Sequence, residues 1–269
     1  MSDSMPGVAE LMRWRGLASV LWLAALLAFE SARPAKPLFA SVRVRFAHGF
    51  RNIALGSSNA ILTALLFATA WKATADWSSI NAFGLAHRLE NMPGVGTAAA
   101  LLLFDAWTYG WHRLNHRIPL LWRFHRMHHS DSEMDATTAN RFHPGEIVLS
   151  SLLRLPLIAL LGLEFIELLA YETVLLAVVQ WHHSNLMLPP SIDRLFRVLV
   201  VTPAMHKVHH SRMAIETNSD YSALLSVWDR LFRSFRLRDD PRAIRFGLEG
   251  FDAPSRQSLA GLLITPFKD

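Results

Sequence analysis

Four stretches of this chain are apolar enough to lie within a lipid bilayer, at residues 16–29, 53–71, 95–111 and 147–181. A helix needs about 20 apolar residues to span a bilayer, so the first stretch is short and the second is close to full length. The third contains one acid, Asp105, and a charged side chain in such a stretch is costly and by default a functional candidate. The fourth is interrupted by Arg154, Pro156 and three glutamates, which predicts two shorter helices forming a hairpin.

Basic residues concentrate in the loop between the first two apolar stretches. Residues 30–51 carry five Lys or Arg side chains against a single glutamate. Because cytoplasmic loops of membrane proteins carry an excess of Lys and Arg, this bias predicts that the loop, the histidine-rich region and the C-terminal third face the cytoplasm, with the N-terminus outside. If the short first stretch lies in the membrane plane instead, the N-terminus is inside.

The composition narrows the class of protein further. Hydrophobic residues make up 51% of the 269 residues and charged residues only 18%, which favours a membrane protein over a soluble one. Cysteine is absent, so disulfides, thiolate metal sites and thiol nucleophiles are excluded together. The net charge of +5 comes with no lysine-rich tract or basic tail. We therefore expect anionic membrane lipids, and no nucleic acid, as partners of this charge.

Histidines recur along the chain in a regular pattern. The stretches "HRMHH" at 125–129 and "HKVHH" at 206–210 share the spacing H-x-x-H-H, and "HRLNH" at 112–116 has the spacing H-x-x-x-H. Side chains at i, i+3 and i+4 lie on one face of a helix, so each motif presents its imidazoles together. Eleven of the thirteen histidines fall between positions 112 and 210, and clustered histidines indicate metal binding first.

The number of clustered histidines predicts two metal ions. One structural zinc ion takes about four ligands, so this cluster is too large for one ion and about right for two. Imidazole suits zinc, copper, iron and nickel. All-nitrogen ligand shells at a membrane surface favour iron redox chemistry over a structural role.

Single histidines differ in how strongly they indicate a ligand. His143 precedes a proline and is equally well explained as a turn residue. Adjacent residues on a helix point about 100° apart, so one of His182 and His183 is expected to bind metal and the other to form a hydrogen bond. For the same reason His128 and His129 are placed to split between two metal ions.

These motifs together resemble those of the membrane fatty acid hydroxylase superfamily, also called the sterol desaturase family. The resemblance covers residues 105–235 and rests on the ordered set H-x-x-x-H, H-x-x-H-H, H-S-N and H-x-x-H-H. It implies an all-α integral membrane helix bundle of about four transmembrane helices, with a cytosolic helical cap that carries a histidine-rich dinuclear metal site. We accordingly expect N-terminal membrane segments and a cytoplasmic linker at 1–94, a hydroxylase-like catalytic domain at 95–240 and a C-terminal cytosolic tail at 241–269.

The resemblance implies a ligand set for two iron ions, which zinc can replace during purification. Transferred position by position, the ligands are His112, His116, His125, His128, His129, His183, His206, His209 and His210. The same pattern prefers His183 to its neighbour, and leaves His143 and His182 as further ligands or as supports of the ligands.

Two acids are implied to act at this site. Asp105 lies seven residues before His112 and on the same helix face, so it is expected to orient a ligand imidazole. Asp220 stands where the family often has asparagine, and Ser222 where it often has glycine. We expect Asp220 to add negative charge close to the metals.

The activity implied is that of an O2-dependent membrane oxidoreductase that inserts oxygen into a C–H bond of a lipid or sterol-like substrate. A desaturase with the same di-iron site is the alternative within the family, because both reactions begin with hydrogen abstraction. Reduction of O2 takes four electrons and hydroxylation of a C–H bond supplies two. We therefore expect a separate electron-donor protein.

Three other classes of protein also use clustered histidines. A haem protein needs only two axial ligands per haem, which leaves the H-x-x-H-H triplets unexplained. A metal-binding or transport protein without catalysis predicts ligands along a pore instead of one cluster. A hydrolytic dizinc site normally includes carboxylates, which here could come only from the acids at 131–135.

Overall fold

The computed structural model describes residues 8–92 and 94–268, and over these ranges the protein is helical, with two isolated bridge pairs and no named strand. The α-helices are, in chain order, α1 Val8–Ala32, α2 Val42–Leu66, α3 Ala68–Ile80, α4 Leu85–Arg88, α5 Val95–Arg117, α6 Pro119–His129, α7 Pro144–Leu161, α8 Phe165–His183, α9 Pro190–Phe196, α10 Pro203–His209, α11 Ala214–Thr217, α12 Val227–Leu231 and α13 Leu259–Leu263. Short 3-10 helices lie at Ala136–Asn140, Pro241–Ala243 and Thr265–Phe267.

Three helices are long and apolar enough to cross a membrane, namely α1 over Met12–Ala32, α7 and α8. A fourth span exists if α2 and the segment Ala68–Arg88, which meet at a bend of 48°, count as one. The expected number of about four spans is reached with this bent pair. The first apolar stretch alone is too short to span a bilayer, but α1 extends beyond it at both ends and is long enough.

The third apolar stretch forms a long helix but is not among the candidate spans. It lies in α5, which has 23 residues. Asp105 and the polar second half of the helix lower its mean hydropathy below that of a span. Phe104 is fully buried and Asp105 is 2% exposed, whereas Leu102 and Leu103 are 46% and 47% exposed, so one face of α5 packs against the bundle and another lies at its surface.

The fourth apolar stretch forms the predicted hairpin of α7 and α8. The break occurs at Gly162, which has a left-handed backbone (φ 70°), while Pro156 lies inside α7. Gly84, also at positive φ, packs directly on this turn, because an added Cβ would lie 2.4 Å from the Gly162 nitrogen. The close approach holds the segment after α3 against the hairpin.

The main apolar core lies between α3, α5, α7 and α8. It is built around Trp71, Phe104, Ile158, Leu163 and Leu168, all less than 10% exposed. Because α7 and α8 are candidate membrane spans, close van der Waals packing of these side chains, and not their removal from water, favours association of the helices.

A buried polar network fastens the N-terminal helices to the segment that follows α6. His48 on α2 places Nε2 2.9 Å from both carboxylate oxygens of Asp131. Asn52, one turn later, donates to Thr137 at 3.1 Å. Arg141, fully buried, approaches the same Asp131 carboxylate at 3.8 Å. Burial of these polar side chains is tolerable because each of them has at least one polar partner.

The C-terminal segment packs against the polar end of the bundle. Arg126 on α6 donates to the Thr265 carbonyl at 2.7 Å. Leu262 on α13 is buried in a cluster with Leu55 and Met127. The residues expected as a tail therefore cover one side of α6.

Candidate metal centre

Nine histidines converge at the polar end of the bundle in two groups. The five-histidine group consists of His112, His116, His125, His129 and His209. The four-histidine group consists of His128, His183, His206 and His210. In each group every residue offers a ring nitrogen within 4.8 Å of the others. These nine are the residues that the sequence motifs nominated as ligands.

Both H-x-x-H-H motifs divide between the two groups in the same way. On α6, His125 and His129 belong to the five-histidine group and His128 to the other. At α10 the i, i+4 pair, His206 and His210, belongs to the four-histidine group, and the middle histidine crosses over. Residues at i and i+4 are only about 40° apart around a helix, whereas neighbours are about 100° apart. Each motif therefore serves two sites.

Backbone carbonyls orient two ligands of the five-histidine group. His112 Nδ1 donates to the Tyr221 carbonyl at 2.7 Å, and His209 Nδ1 donates to the Ser219 carbonyl at 2.6 Å. A carbonyl oxygen only accepts, so the proton of each neutral ring is on Nδ1 and the lone pair is on Nε2. The two Nε2 atoms lie 3.0 Å apart.

A buried carboxylate orients a third ligand of this group. His125 Nδ1 donates to Glu146 Oε1 at 2.9 Å, and its Nε2 lies 3.1 Å from Nε2 of His112. Glu146, 5% exposed in the first turn of α7, also accepts from Asn115 at 3.0 Å. A carboxylate behind a ligating imidazole fixes its tautomer and raises its basicity. The sequence motifs did not identify Glu146, although it follows His143 by three residues.

The four-histidine group has the same design at His183. Its Nδ1 donates to the Val179 carbonyl one turn back on α8, at 2.7 Å. Its Nε2 then lies 3.1 Å from Nε2 of His128 and 3.0 Å from Nε2 of His206. His183 therefore presents a lone pair to both neighbours.

The loop at residues 219–222 carries the two carbonyls that orient His112 and His209, and Asp229 on α12 holds this loop. The Asp229 carboxylate accepts from the backbone nitrogens of Tyr221, at 2.8 Å, and Ser222, at 3.0 Å. It also accepts from the Ser234 hydroxyl at 2.8 Å. Asp229 was not singled out from the sequence.

Asp220 lies in the same loop but points away from the histidines. Its carboxylate accepts from the Arg236 backbone nitrogen at 2.9 Å, and it belongs to neither histidine group. Its φ of 50° is left-handed, a conformation that asparagine and aspartate adopt more readily than most residues. Aspartate at position 220, where the family often has asparagine, is therefore compatible with the backbone conformation. Burial raises the pKa of Asp220 well above its usual value.

Asp105 is not positioned to orient an imidazole. One of its oxygens accepts from Tyr171 at 2.7 Å, and the other accepts from Trp228 at 2.6 Å and from the Leu225 nitrogen at 3.3 Å. These three donors use both oxygens. Asp105 lies on the same face of α5 as His112, as expected. Because it precedes His112 by seven residues, it lies two turns away along the helix, where its hydrogen bonds join α5 to α8 and α12.

The two remaining candidate histidines lie outside both groups. His143 caps α7, where Nδ1 accepts from the Gly145 nitrogen and Nε2 donates to the Leu263 carbonyl, each at 3.0 Å. His182 is buried, with its ring centre 3.9 Å from that of His206. His143 therefore acts as a helix cap, and His182 packs directly behind a member of the four-histidine group.

Burial disfavours the charged form of several imidazoles in the cluster. Burial, followed by repulsion from neighbouring histidines, lowers the pKa of His116, His129 and His210 well below the usual value. Burial lowers the pKa of His209 to about 3. A neutral imidazole is the form that binds a metal ion.

The two groups fit metal ions rather than a network of hydrogen bonds. Lone pairs of His112, His125 and His209 face one another at about 3 Å with no proton available between them. Such an arrangement is repulsive unless a cation lies among the nitrogens. Both ring nitrogens of His116 and His129 are buried without a hydrogen-bond partner among the described residues. Within the described residues each group contains histidine alone, so carboxylate bridges of the dizinc kind have no source.

A cavity of about 440 Å³ leads from the histidines into the membrane-embedded helices. His112, His125, His128, His183 and His206 line one end. Apolar side chains of α8, namely Phe165, Leu169, Leu175, Leu176 and Val179, line one side, and residues of α2, α3, α5 and α7 line much of the rest of the wall. The cavity therefore joins the histidines to apolar side chains of a candidate membrane span.

A comparison with family models matches residues 97–234 of the chain to the fatty acid hydroxylase model. Similar curated proteins include the ornithine lipid hydroxylase OlsE of Rhizobium tropici, 30% identical over 56% of this chain and 44% of that protein. They also include alkylglycerol monooxygenase of Homo sapiens, 28% identical over 57% of this chain and 34% of that protein. Cholesterol 25-hydroxylase of Rattus norvegicus is 26% identical over 55% of this chain and 49% of its own length. The matches thus span less than half of each relative, and no solved structure matches.

Proposed function

The chain belongs to the fatty acid hydroxylase family, and we propose that it is a membrane-bound di-iron oxygenase that inserts one oxygen atom from O2 into a C–H bond of a lipid. The similar proteins are named as hydroxylases or monooxygenases of an ornithine lipid, an alkylglycerol and cholesterol. Their common feature is a substrate with a long apolar part, which agrees with the apolar cavity.

The observation that carries the proposal is the convergence of unprotonated Nε2 atoms in the five-histidine group. His112 and His209 face each other at 3.0 Å with their protons committed to carbonyls on the other side of each ring. We assign one iron to this group and one to the four-histidine group. Bound there, the two ions supply the reduction of dioxygen and the oxidation of the C–H bond.

The protein itself positions and isolates the reacting groups. Glu146 and the carbonyls of Ser219 and Tyr221 hold three ligand rings in one tautomer, so no reorganisation is needed when metal binds. The apolar wall of the cavity orients a hydrocarbon chain towards the histidines and excludes water. Substrate C–H bonds are thereby brought close to the metals without a polar recognition group at the reacting carbon.

The metal end of the bundle is assigned to the cytoplasmic side. The basic segment 30–51, which comprises the end of α1, a short connection and the first turns of α2, lies at this end, since the Ala35 nitrogen donates to the Asn185 carbonyl at 2.8 Å, just beyond α8. An excess of Lys and Arg marks the cytoplasmic side of a membrane protein. A soluble or membrane-anchored electron donor in the cytoplasm would then supply the two electrons that the substrate does not.

The proposal is tested by lipid analysis of cells that express the chain under heavy-isotope dioxygen. We expect a lipid that gains one labelled oxygen atom, and purified protein with two irons per chain. His128→Ala and His209→Ala, one from each group, are each expected to abolish the product and lower the iron content. His143→Asn keeps an α7 cap outside both groups and serves as the matched control.

Two results would contradict the proposal. A lipid that loses two hydrogens without gaining oxygen would identify a desaturase. Iron content that neither alanine variant changes would mean that the histidine cluster is structural.

A further inference from the structure

One ion pair lies in the wall of the cavity, far from the histidines. Arg154 on α7 donates through Nη1 to Glu172 Oε1 on α8 at 2.7 Å, and both residues line the cavity. Both helices are candidate membrane spans. Charged side chains within a span are costly and usually face a bundle interior or a cavity where they have a function.

The pair retains hydrogen-bonding capacity that the protein does not use. A guanidinium has five N–H donors, and the contact to Glu172 is the one hydrogen bond that Arg154 forms with the described residues. The second oxygen of Glu172 also accepts no hydrogen bond within that part of the chain. Side chains of the two residues are 20% and 16% exposed. Donors and an acceptor are therefore presented side by side.

Packing holds the guanidinium in place. Its central carbon lies 5.5 Å from the ring centre of Trp71 and 5.9 Å from that of Phe104. Both aromatic residues belong to the main core. The ion pair of Arg154 and Glu172, called the polar spot below, is thus a fixed part of the cavity wall.

The polar spot and the histidines occupy different levels of the bundle. Arg154 follows Glu146 by eight residues on α7, which corresponds to about 12 Å along the helix. Glu172 precedes His183 by eleven residues on α8, or about 16 Å. Leu176 and Val179 line the cavity between these levels on α8.

From this arrangement, and resting on the proposed function, we propose that the cavity binds a lipid with an uncharged hydroxyl group, which accepts from Arg154 and donates to Glu172. The hydrocarbon part extends from there to the histidines. A hydroxyl suits the spot because it both donates and accepts and leaves the ion pair neutral. A carboxylate or phosphate would add a net negative charge in a low-dielectric region, which is costly.

This binding mode sets the position of the reaction. The hydroxyl is held about 12 to 16 Å from the level of the histidines. Oxygen is therefore inserted at a carbon remote from the existing hydroxyl, and not at its neighbours.

The test measures binding to the purified full chain in nanodiscs, with hexadecan-1-ol, hexadecane and hexadecanoate as radiolabelled probes and empty nanodiscs as background. The alcohol is expected to bind about tenfold more tightly than the hydrocarbon, the effect of two net hydrogen bonds. The double variant Arg154→Leu with Glu172→Leu is expected to remove this preference. Lys72→Leu with Asp76→Leu, an exposed i, i+4 pair on α3, is the matched control and should retain it.

The alcohol-to-hydrocarbon ratio is taken on a single preparation, so partial unfolding of a variant cancels. An unchanged ratio in the double variant would show that the pair only joins α7 to α8. Tighter binding of hexadecanoate than of the alcohol would also overturn the assignment. If the ratio responds as expected while no lipid is ever oxygenated, the hydroxyl subsite stands and the proposed reaction fails.

Discussion

At the scale of single residues, the partners of the histidines decide how the cluster works. Of the nine clustered histidines, Glu146 orients only His125, whose Nδ1 lies 2.9 Å from Glu146 Oε1. Glu146→Gln keeps an acceptor but loses the charge, and loss of such a partner typically lowers metal affinity about 10- to 100-fold. We expect the five-histidine group to lose its ion first, so that iron per chain falls from two to one under a competing chelator.

The control for this prediction is Glu164→Gln, at the exposed N-terminus of α8. It should retain both ions under the same chelator. Equal loss from both groups in Glu146→Gln would mean that the carboxylate supports the whole fold and does not tune one ligand.

Substitution of Asp105 distinguishes a role in orienting an imidazole from a role in joining α5 to α8 and α12. Asp105→Asn would keep an oxygen for Trp228 and Leu225 but turn an amide N–H towards the Tyr171 hydroxyl, which loses its acceptor, and loss of such a buried partner costs about 1–3 kcal/mol. We expect a lower unfolding temperature with unchanged metal content. Tyr171→Phe, which removes one donor to the same carboxylate, should show a smaller shift in the same direction. Loss of metal at an unchanged unfolding temperature would restore the role of orienting acid.

The sequence identified all nine clustered histidines but few of their partners, for a physical reason. Motif spacing reports side chains on one helix face, and it carries no information on which carbonyl or carboxylate comes from another element. His112 and Tyr221 are 109 residues apart, and His125 and Glu146 are 21 apart. Asp105 was misassigned because spacing fixes the face of a helix but not the depth of a contact.

At the scale of elements, α12 acts on the metal centre through a loop. Asp229→Asn would keep one acceptor but turn an amide N–H towards either the Tyr221 or the Ser222 backbone nitrogen, and so displace the loop that carries the two orienting carbonyls. We expect selective loss of metal from the five-histidine group, measured as iron per chain. Ser234→Ala removes the side-chain contacts to Asp229 and to Tyr109 but leaves both backbone donors of the loop on the carboxylate, and it should lose little metal. Full metal content in Asp229→Asn would mean that the loop is held by other contacts.

The sequence predicted that the fourth apolar stretch is divided into two helices, but it did not predict where the division lies. The hairpin of α7 and α8 was expected without a position for its turn, which lies at Gly162, while Pro156 lies inside α7. A proline is compatible with a helix when packing compensates for the lost hydrogen bond, and local composition does not reveal such packing. The apolar stretch in α5 buries the face that carries Asp105, because Asp105 has three donors from other elements that no local pattern predicts.

At the scale of the whole molecule, the buried histidines predict acid sensitivity of the metal-free protein. Burial lowers the pKa of His209 to about 3 and that of His206 and His210 well below the usual value. The unfolded chain then binds more protons below about pH 6.5, so stability is full above that pH and falls as the pH decreases. Each such histidine contributes about 1.4 kcal/mol per pH unit.

The unfolding temperature in detergent, measured from pH 8 to pH 5 after chelation, checks this expectation. We expect a plateau above pH 7 and a steep decrease below pH 6.5. Asp131, whose pKa is held low by His48 and Arg141, adds its own loss only near pH 4 and below. A flat profile down to pH 5 would mean that the cluster is hydrated in the folded protein.

The arrangement of the whole molecule was only partly readable from the chain. Hydropathy and charge indicated an apolar bundle with a polar, histidine-rich end. The polar contact between α2 and the segment after α6 was not predicted, because His48 and Asp131 are 83 residues apart and His48 belongs to no motif. Long-range polar pairs of this kind depend on the folded arrangement of helices.

The use of main-chain carbonyls to orient His112, His183 and His209 affects how this protein can vary and how it can be dissected. A carbonyl belongs to every amino acid, so positions 179, 219 and 221 can drift in sequence without changing the imidazole that they steer. Alanine scanning would pass over these three acceptors, since it removes side chains only. Amide-to-ester exchange, which weakens the acceptor and leaves the side chain intact, is the substitution that would expose them.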